Sequence, residues 1–338
     1  MKKHILPIAV GAALGVVASA ATAATLDDVK AKGFVQCGVT TGLPGFAQPD
    51  DAGNWSGLDV DYCRAIASAI FGDPNAAKYT PLSAKERFTA LQSGEVDVLT
   101  RNTTWTMERD TTLGLTFAGV NYYDGQGFMV PKALGVTSAL ELQDAAICVQ
   151  TGTTTELNMA DYFRTNNINY NPVVFEALPE TNQAYDSGRC DVLTTDASGL
   201  AGTRLQLANP ADHMILPEII SKEPLGPVVR QGDVQWFNVV KWTHFALLNA
   251  EEAGITQANV EEMLSSESPD IKRMLGVEGT FGEAIGLGNG WVVNIIKGVG
   301  NYGEIFERNV GVNTPVGLER GLNALWTDGG IQYGPPIR

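Results

Sequence analysis

Histidine is almost missing from this chain. Three occur in 338 residues, and one of them, His4, falls in the N-terminal stretch, so neither a histidine-rich metal centre nor a Ser-His-Asp relay has the residues it needs. Cysteine is scarce as well, four in all and with no Cys-x-x-Cys spacing, which removes the common zinc and dithiol patterns. Positive charge is outnumbered, 23 Lys and Arg against 38 Asp and Glu, for a formal net charge of -15. That balance argues against nucleic acid or an anionic membrane as a partner. Beyond the first two dozen residues no run is long and apolar enough to span a bilayer.

The apolar run that does exist is at the start. Lys2 and Lys3 precede an uncharged stretch, residues 5–18, and the small residues Ala21-Thr22-Ala23. This is the pattern of a secretory signal peptide, cut after Ala23 or Ala24, and it implies export.

An internal echo organises the rest. Ser93-Gly94-Glu95-Val96-Asp97-Val98-Leu99-Thr100 and Ser187-Gly188-Arg189-Cys190-Asp191-Val192-Leu193-Thr194 share six of eight residues, 94 positions apart. Each is a glycine turn followed by a short apolar run of strand type, and each ends in polar residues, Arg101-Asn102-Thr103-Thr104 and Thr195-Asp196. Upstream of each lies a second pair, Cys37-Gly38-Val39-Thr40-Thr41-Gly42 and Cys148-Val149-Gln150-Thr151-Gly152. Two α/β units on one plan predict a cleft between their strand ends.

Strand and helix patterns alternate through both units. A short helix is expected at 26–32, strands at 34–39 and 79–82, a helix from Gly57 to near Phe71, another at 85–92, and the echo strand at 96–100. Asp59 and Asp61 are assigned to capping the helix that follows Gly57 rather than to a metal. In the second unit a strand at 146–150 opens into Thr151-Gly152-Thr153-Thr154-Thr155-Glu156, where Thr153 and Glu156 fit a capping box. The free amides of such a loop suit a carboxylate or phosphate, with a plain capped helix as the other reading. Extended pieces at 122–131 and 226–230 are expected to cross between lobes as a hinge. Helices follow at 236–250 and 255–275. Gly298-Val299-Gly300-Asn301-Tyr302-Gly303 spells GxGxxG but follows no strand, so dinucleotide binding is discounted.

The expected fold class is therefore α/β with two lobes, each a mostly parallel sheet flanked by helices. Residues 1–23 are the signal peptide, 24–127 and 231–338 form a discontinuous first lobe with a C-terminal helical extension, and 128–230 form the second lobe with the hinge strands. The cysteines then fall two to a lobe. In an oxidising compartment they read as bridges Cys37 to Cys63 and Cys148 to Cys190, free buried thiols being the alternative.

Taken in order, GLDVDYCRAIA, LQSGEVDVLTRNTTWTMERD, VQTGTTTEL and SGRCDVLTTDASGLAG make the chain resemble the family-3 solute-binding proteins of polar amino acid ABC importers. GNYGEIFERN and GLNALWTDGGIQYGPP resemble the general L-amino acid binding subfamily. The resemblance implies a periplasmic two-lobe binding protein of type II (Venus flytrap), without cofactor or catalysis, which works as a monomer and passes an L-amino acid to an inner-membrane ABC permease and its ATPase. It implies that Arg109, helped by Thr104 and the amides at Thr153, grips the ligand's α-carboxylate, and Thr151 is counted among the ligand-binding residues. Asp196 takes the α-ammonium, with a carbonyl near Asn102. Arg87 stands where relatives that bind glutamate and aspartate keep an arginine for the side-chain acid, and Arg101 is a second cation at the cleft edge. Leu43 and Leu178 replace an aromatic and a histidine of other relatives. Together these favour Glu, Gln, Asp and Asn among several tolerated ligands. Two alternatives share the fold: a cyclohexadienyl dehydratase-like enzyme and a sensory amino acid binding module.

Overall fold

The computed structural model describes residues 24–338, so the expected signal peptide lies outside the described residues. The chain opens with helix α1 (Thr25–Lys32), strand β1 (Val35–Val39) and a small hairpin of β2 (Gln48–Pro49) and β3 (Trp55–Ser56). Helix α2 (Leu58–Phe71), strand β4 (Ala77–Pro81), helix α3 (Arg87–Ser93), strand β5 (Val98–Leu99), helix α4 (Met107–Thr112) and strand β6 (Leu115–Phe117) follow. Strands β7 (Tyr122–Asp124) and β8 (Gln126–Pro131) lead to β9 (Ala145–Gln150), α5 (Thr154–Thr165), β10 (Tyr170–Phe175), α6 (Leu178–Asp186), β11 (Val192–Asp196), α7 (Ala197–Arg204) and β12 (His213–Ile215). The return runs through β13 (Glu223–Leu225) and β14 (Val228–Arg230) into α8 (Val234–Glu252). Helices α9 (Val260–Met263), α10 (Pro269–Met274), α11 (Phe281–Ala284), α12 (Trp291–Val299) and α13 (Tyr302–Asn309) complete it. No described helix is long and apolar enough to cross a membrane.

Two five-stranded sheets carry the two lobes, in the orders β4-β1-β5-β14-β6 and β10-β9-β11-β8-β12. Both are mixed. Three strands run parallel in each, and the strand next to the echo strand, β14 or β8, runs antiparallel to it. The echoes β5 and β11 thus hold the same central place. Their turns match too, because Gly94 and Gly188 sit at φ +81° and +76°, a left-handed conformation that costs glycine little. Both expected bridges are present, Cys37 to Cys63 and Cys148 to Cys190. The first ties β1 to α2; the second ties β9 to the residues just before β11.

Between the sheets β7 and β13 form a two-stranded ribbon, Glu223 opposite Asp124 and Leu225 opposite Tyr122. The expected single strand over 122–131 is instead broken at Gly125. A Cβ there would lie 2.2 Å from the Ile219 side chain and 2.9 Å from the Ser221 carbonyl. The piece at 226–230 becomes a strand only from Val228, and at Gly226 a Cβ would sit 1.9 Å from the Gly119 carbonyl oxygen.

Three other expectations need correction. Residues 255–275 are two short helices separated by hydrogen-bonded turns, and Pro269, which suits a helix start but not its interior, opens the second. Asp59 and Asp61 do not cap α2, whose N-cap is Gly57 with no side-chain bond. Asp59 accepts from the Asn102 amide (3.0 Å), and Asp61 from Arg308, Asn309 and Arg64. The Thr153 capping box is half made: Thr153 accepts from the Glu156 amide, while the Glu156 carboxylate turns to Thr151 Oγ1 and the Gly152 amide.

The C-terminal extension belongs to the main core, where α12 packs on α2 and α8 with Ile295, Ile296 and Val292 fully buried. It also braces the hinge. Tyr302 donates to the Asn121 carbonyl, Gln332 to that of Val120, and the Asn323 side chain exchanges two bonds with the Tyr123 backbone.

Candidate functional site

The strand ends of the two sheets face each other across a narrow cleft. Thr40, Leu43, Arg87, Arg101, Asn102 and Thr104 line it from the first lobe; Gln150, Thr153, Thr154, Leu178 and Asp196 line it from the second. The lobes meet closely. A Cβ on Gly202 would lie 2.7 Å from the Pro44 carbonyl oxygen, and one on Gly152 would lie 3.2 Å from Lys85 Cα.

Three arginines gather on the first-lobe side. Arg87, 3% exposed, lies in the first turn of α3 and makes only long contacts, Nη1 to the Asn102 carbonyl (3.4 Å) and to Thr103 Oγ1 (3.3 Å). Its Nε is buried without a partner. Arg101 lies two residues beyond the end of β5 and donates Nε to the Leu82 carbonyl (3.0 Å). Arg109 lies in α4, which Thr106 caps by accepting from the Arg109 amide, and its Nη1 donates to the Thr104 carbonyl (2.9 Å). The ring of Phe88 carries two of these guanidinium groups, Arg87 at 4.7 Å and Arg109 at 5.2 Å from its centroid, a cation–π platform. None of the three arginines joins an ion pair among the described residues. Burial followed by mutual repulsion pulls Arg87 well below its ordinary value. Burial brings Arg101 to about 10, against the pull of Asp59, and lowers Arg109. Buried like charges without a counterion are costly, so an anion in this cleft relieves them.

Carboxylates stand opposite. Asp196 ends β11 and precedes α7 without capping it, which leaves its side chain to the cleft. Burial pushes its carboxyl well above the usual range, and Asp124 and Glu223 push it further. Asp124, at the end of β7, accepts from the Gly125 amide and from Ser198, and burial raises it to about 6. Glu223 accepts hydrogen bonds from both lobes, Thr104 Oγ1 on one side and Thr154 Oγ1 on the other.

The structure thus brings together Arg87, Arg101, Asn102, Thr104, Thr153 and Asp196. Arg109 stands behind Thr104 rather than in the lining, and Thr151 lies outside it, with its hydroxyl donated to Glu156. Neither Glu86 nor Asp97 pairs with Arg87: Glu86 bonds Ser83, and Asp97 takes Lys32 and the Gln36 amide. Phe88, Asp124 and Glu223 were not singled out in the sequence. Among the described residues no cluster of His, Cys, Asp and Glu could hold a metal ion.

The sequence profile of the bacterial extracellular solute-binding proteins, family 3, matches residues 35–262. A general L-amino acid-binding periplasmic protein of Rhizobium johnstonii is 70% identical over the whole of both chains. A glutamate/glutamine/aspartate/asparagine-binding protein of Rhodobacter capsulatus is 58% identical, over 95% of this chain and 96% of that one. A periplasmic binding protein of an ABC transporter from Brucella ovis, solved with glutathione bound, superposes with a TM-score of 0.92 at 70% identity, over 94% of this chain and all of that one.

Proposed function

This chain belongs to the bacterial extracellular solute-binding proteins, family 3, and from that premise we propose that it is the periplasmic binding component of an ABC importer for L-amino acids. The observation that carries this reading is the division of charge across the cleft, the buried Arg87 and Arg101 lining one side, with Arg109 behind them, and Asp196 lining the other. A zwitterion is the ligand that satisfies both. Arg109 takes the α-carboxylate with the first-turn amides of α5, and Asp196 takes the α-ammonium with the Asn102 carbonyl. Because these groups belong to different lobes, the ligand itself draws the lobes together about the β7–β13 ribbon, and the closed form is what a permease meets.

Arg87 and Arg101 favour acidic and amide side chains, Glu, Gln, Asp and Asn. Glutathione, the ligand in the Brucella ovis relative, carries the same α-amino acid head at its γ-glutamyl end, so γ-glutamyl compounds join the expected ligands. The lobes bind and release without turnover. Melting curves of the purified protein with each L-amino acid and with prephenate, followed for product, test this reading. Ligand at ~100 times its Kd adds about 2.7 kcal/mol to stability, an easily measured shift. Shifts with Glu, Gln, Asp and Asn support the proposal; conversion of prephenate without amino acid binding would replace it.

A further inference from the structure

Glu223 is 1% exposed at the start of β13, in the ribbon that joins the lobes. Both of its oxygens are fully engaged. Oε2 accepts from Thr104 Oγ1 at 2.6 Å and from Thr154 Oγ1 at 2.8 Å; Oε1 accepts from Asn158 Nδ2 and Ser221 Oγ, each at 2.7 Å. Thr104 follows the first-lobe echo strand, whereas Thr154 and Asn158 lie one turn apart on α5 of the second lobe. The two threonine oxygens are 3.3 Å from each other, and both residues line the cleft.

A hydroxyl has one proton, and Thr104 and Thr154 both direct theirs at Glu223 Oε2. Each threonine therefore commits its proton to Glu223, and what remains toward the cleft is lone pairs. Such oxygens accept from an N–H and repel another acceptor. Where the sequence reading placed Thr104 with the α-carboxylate, this geometry suits its hydroxyl to the ammonium.

Resting on the amino acid reading above, we propose that Glu223 is a positioning residue for ligand recognition. It fixes Thr104 and Thr154 as acceptors, so the cleft selects ligands with a free α-ammonium over the corresponding 2-oxo acids. Glutamate and 2-oxoglutarate differ at this one position, a donor in the first and an acceptor in the second.

The test titrates wild type, Glu223→Gln and Thr104→Val with L-glutamate by calorimetry, and with 2-oxoglutarate by displacement of bound glutamate. Glutamate is expected to weaken more than tenfold in each variant, while 2-oxoglutarate is unchanged or tighter. The double variant should lose little more than either single one, because both act through the same oxygen. Equal weakening of the two ligands would overturn the proposal and make Glu223 a part of the scaffold. Unchanged glutamate affinity would overturn it too. Should Glu223→Gln fail to fold, Thr104→Val, which keeps the side-chain shape, decides on the same two ligands. Wild type is titrated first, and absence of any amino acid binding there would overturn the premise itself, a failure distinct from lost discrimination in the variants.

Discussion

The two echo strands, β5 and β11, occupy the same place in their sheets and end in opposite charge. After β5 come Arg101 and, nearby, Arg87 and Arg109; β11 itself ends in Asp196, with Asp124 beside it. Strand carboxyl ends gather function because the loops there are free of the sheet's hydrogen bonding. A repeated unit makes two such ends face each other, and diverging the terminal residues gives one cleft two opposite poles. The scaffold repeats while the chemistry does not. The bridges diverge in the same way, strand to helix in the first lobe and strand to the turn before the neighbouring strand in the second, with partners 26 and 42 positions apart.

That comparison can be broken first at the bridges. Replacing both cysteines of either pair by alanine is expected to cost ~3 to 4 kcal/mol, slightly more for the longer loop. Urea unfolding of the two double variants measures this, and losses well under ~1 kcal/mol in both would show that the lobes do not depend on their staples. Next is the cationic pole. Arg109→Ala should lower amino acid affinity by roughly 3 kcal/mol or more, over a hundredfold, with the fold intact. Near-normal affinity by calorimetry would place the carboxylate seat elsewhere, and the position of Arg109 behind Thr104 makes this a demanding trial.

Much of this arrangement was legible in the chain. The echo located both central strands, the polar residues after them located the cleft, and an even, lobe-divided cysteine count located both bridges. What stayed hidden depends on distant residues converging. Glu223 sits in Ser221-Lys222-Glu223, which has no motif, and two of its partners lie 119 and 69 positions upstream. Asp61 looked like a cap because Arg308, which pairs with it, is 247 residues away. The helix expected over 255–275 failed at Pro269, a local signal that apolar spacing outweighed in the sequence.

A finer trial concerns side-chain choice. Arg87→Met keeps the apolar stem and removes the fork, so glutamate and aspartate should weaken by more than tenfold, over ~1.4 kcal/mol, while alanine and leucine hardly change. Equal weakening of all four would make Arg87 scaffold, and no weakening would move the acid-reading role to Arg101. The smallest effect expected is on pH. Burial raises Asp124 to about 6 and pushes Asp196 up as well, so the anionic pole loses charge as pH falls. Glutamate affinity should therefore fall by up to roughly tenfold, about one pKa unit's worth, as pH drops from roughly 8 to 5, while the ligand's own acids stay charged. A flat profile would mean that neither carboxylate faces the ammonium.

On the proposed reading, Arg109 of the first lobe takes the negative end of an amino acid and Asp196 of the second lobe the positive end, each helped by backbone groups of the opposite lobe. It is tested most directly by calorimetric titration of the wild-type protein with L-glutamate, its α-methyl ester and N-acetyl-L-glutamate, each derivative lacking one of the two charges. Both derivatives are expected to bind over a hundredfold more weakly than glutamate, roughly 3 kcal/mol for either end. Retention of glutamate-like affinity by either one would contradict the division of charge between the lobes.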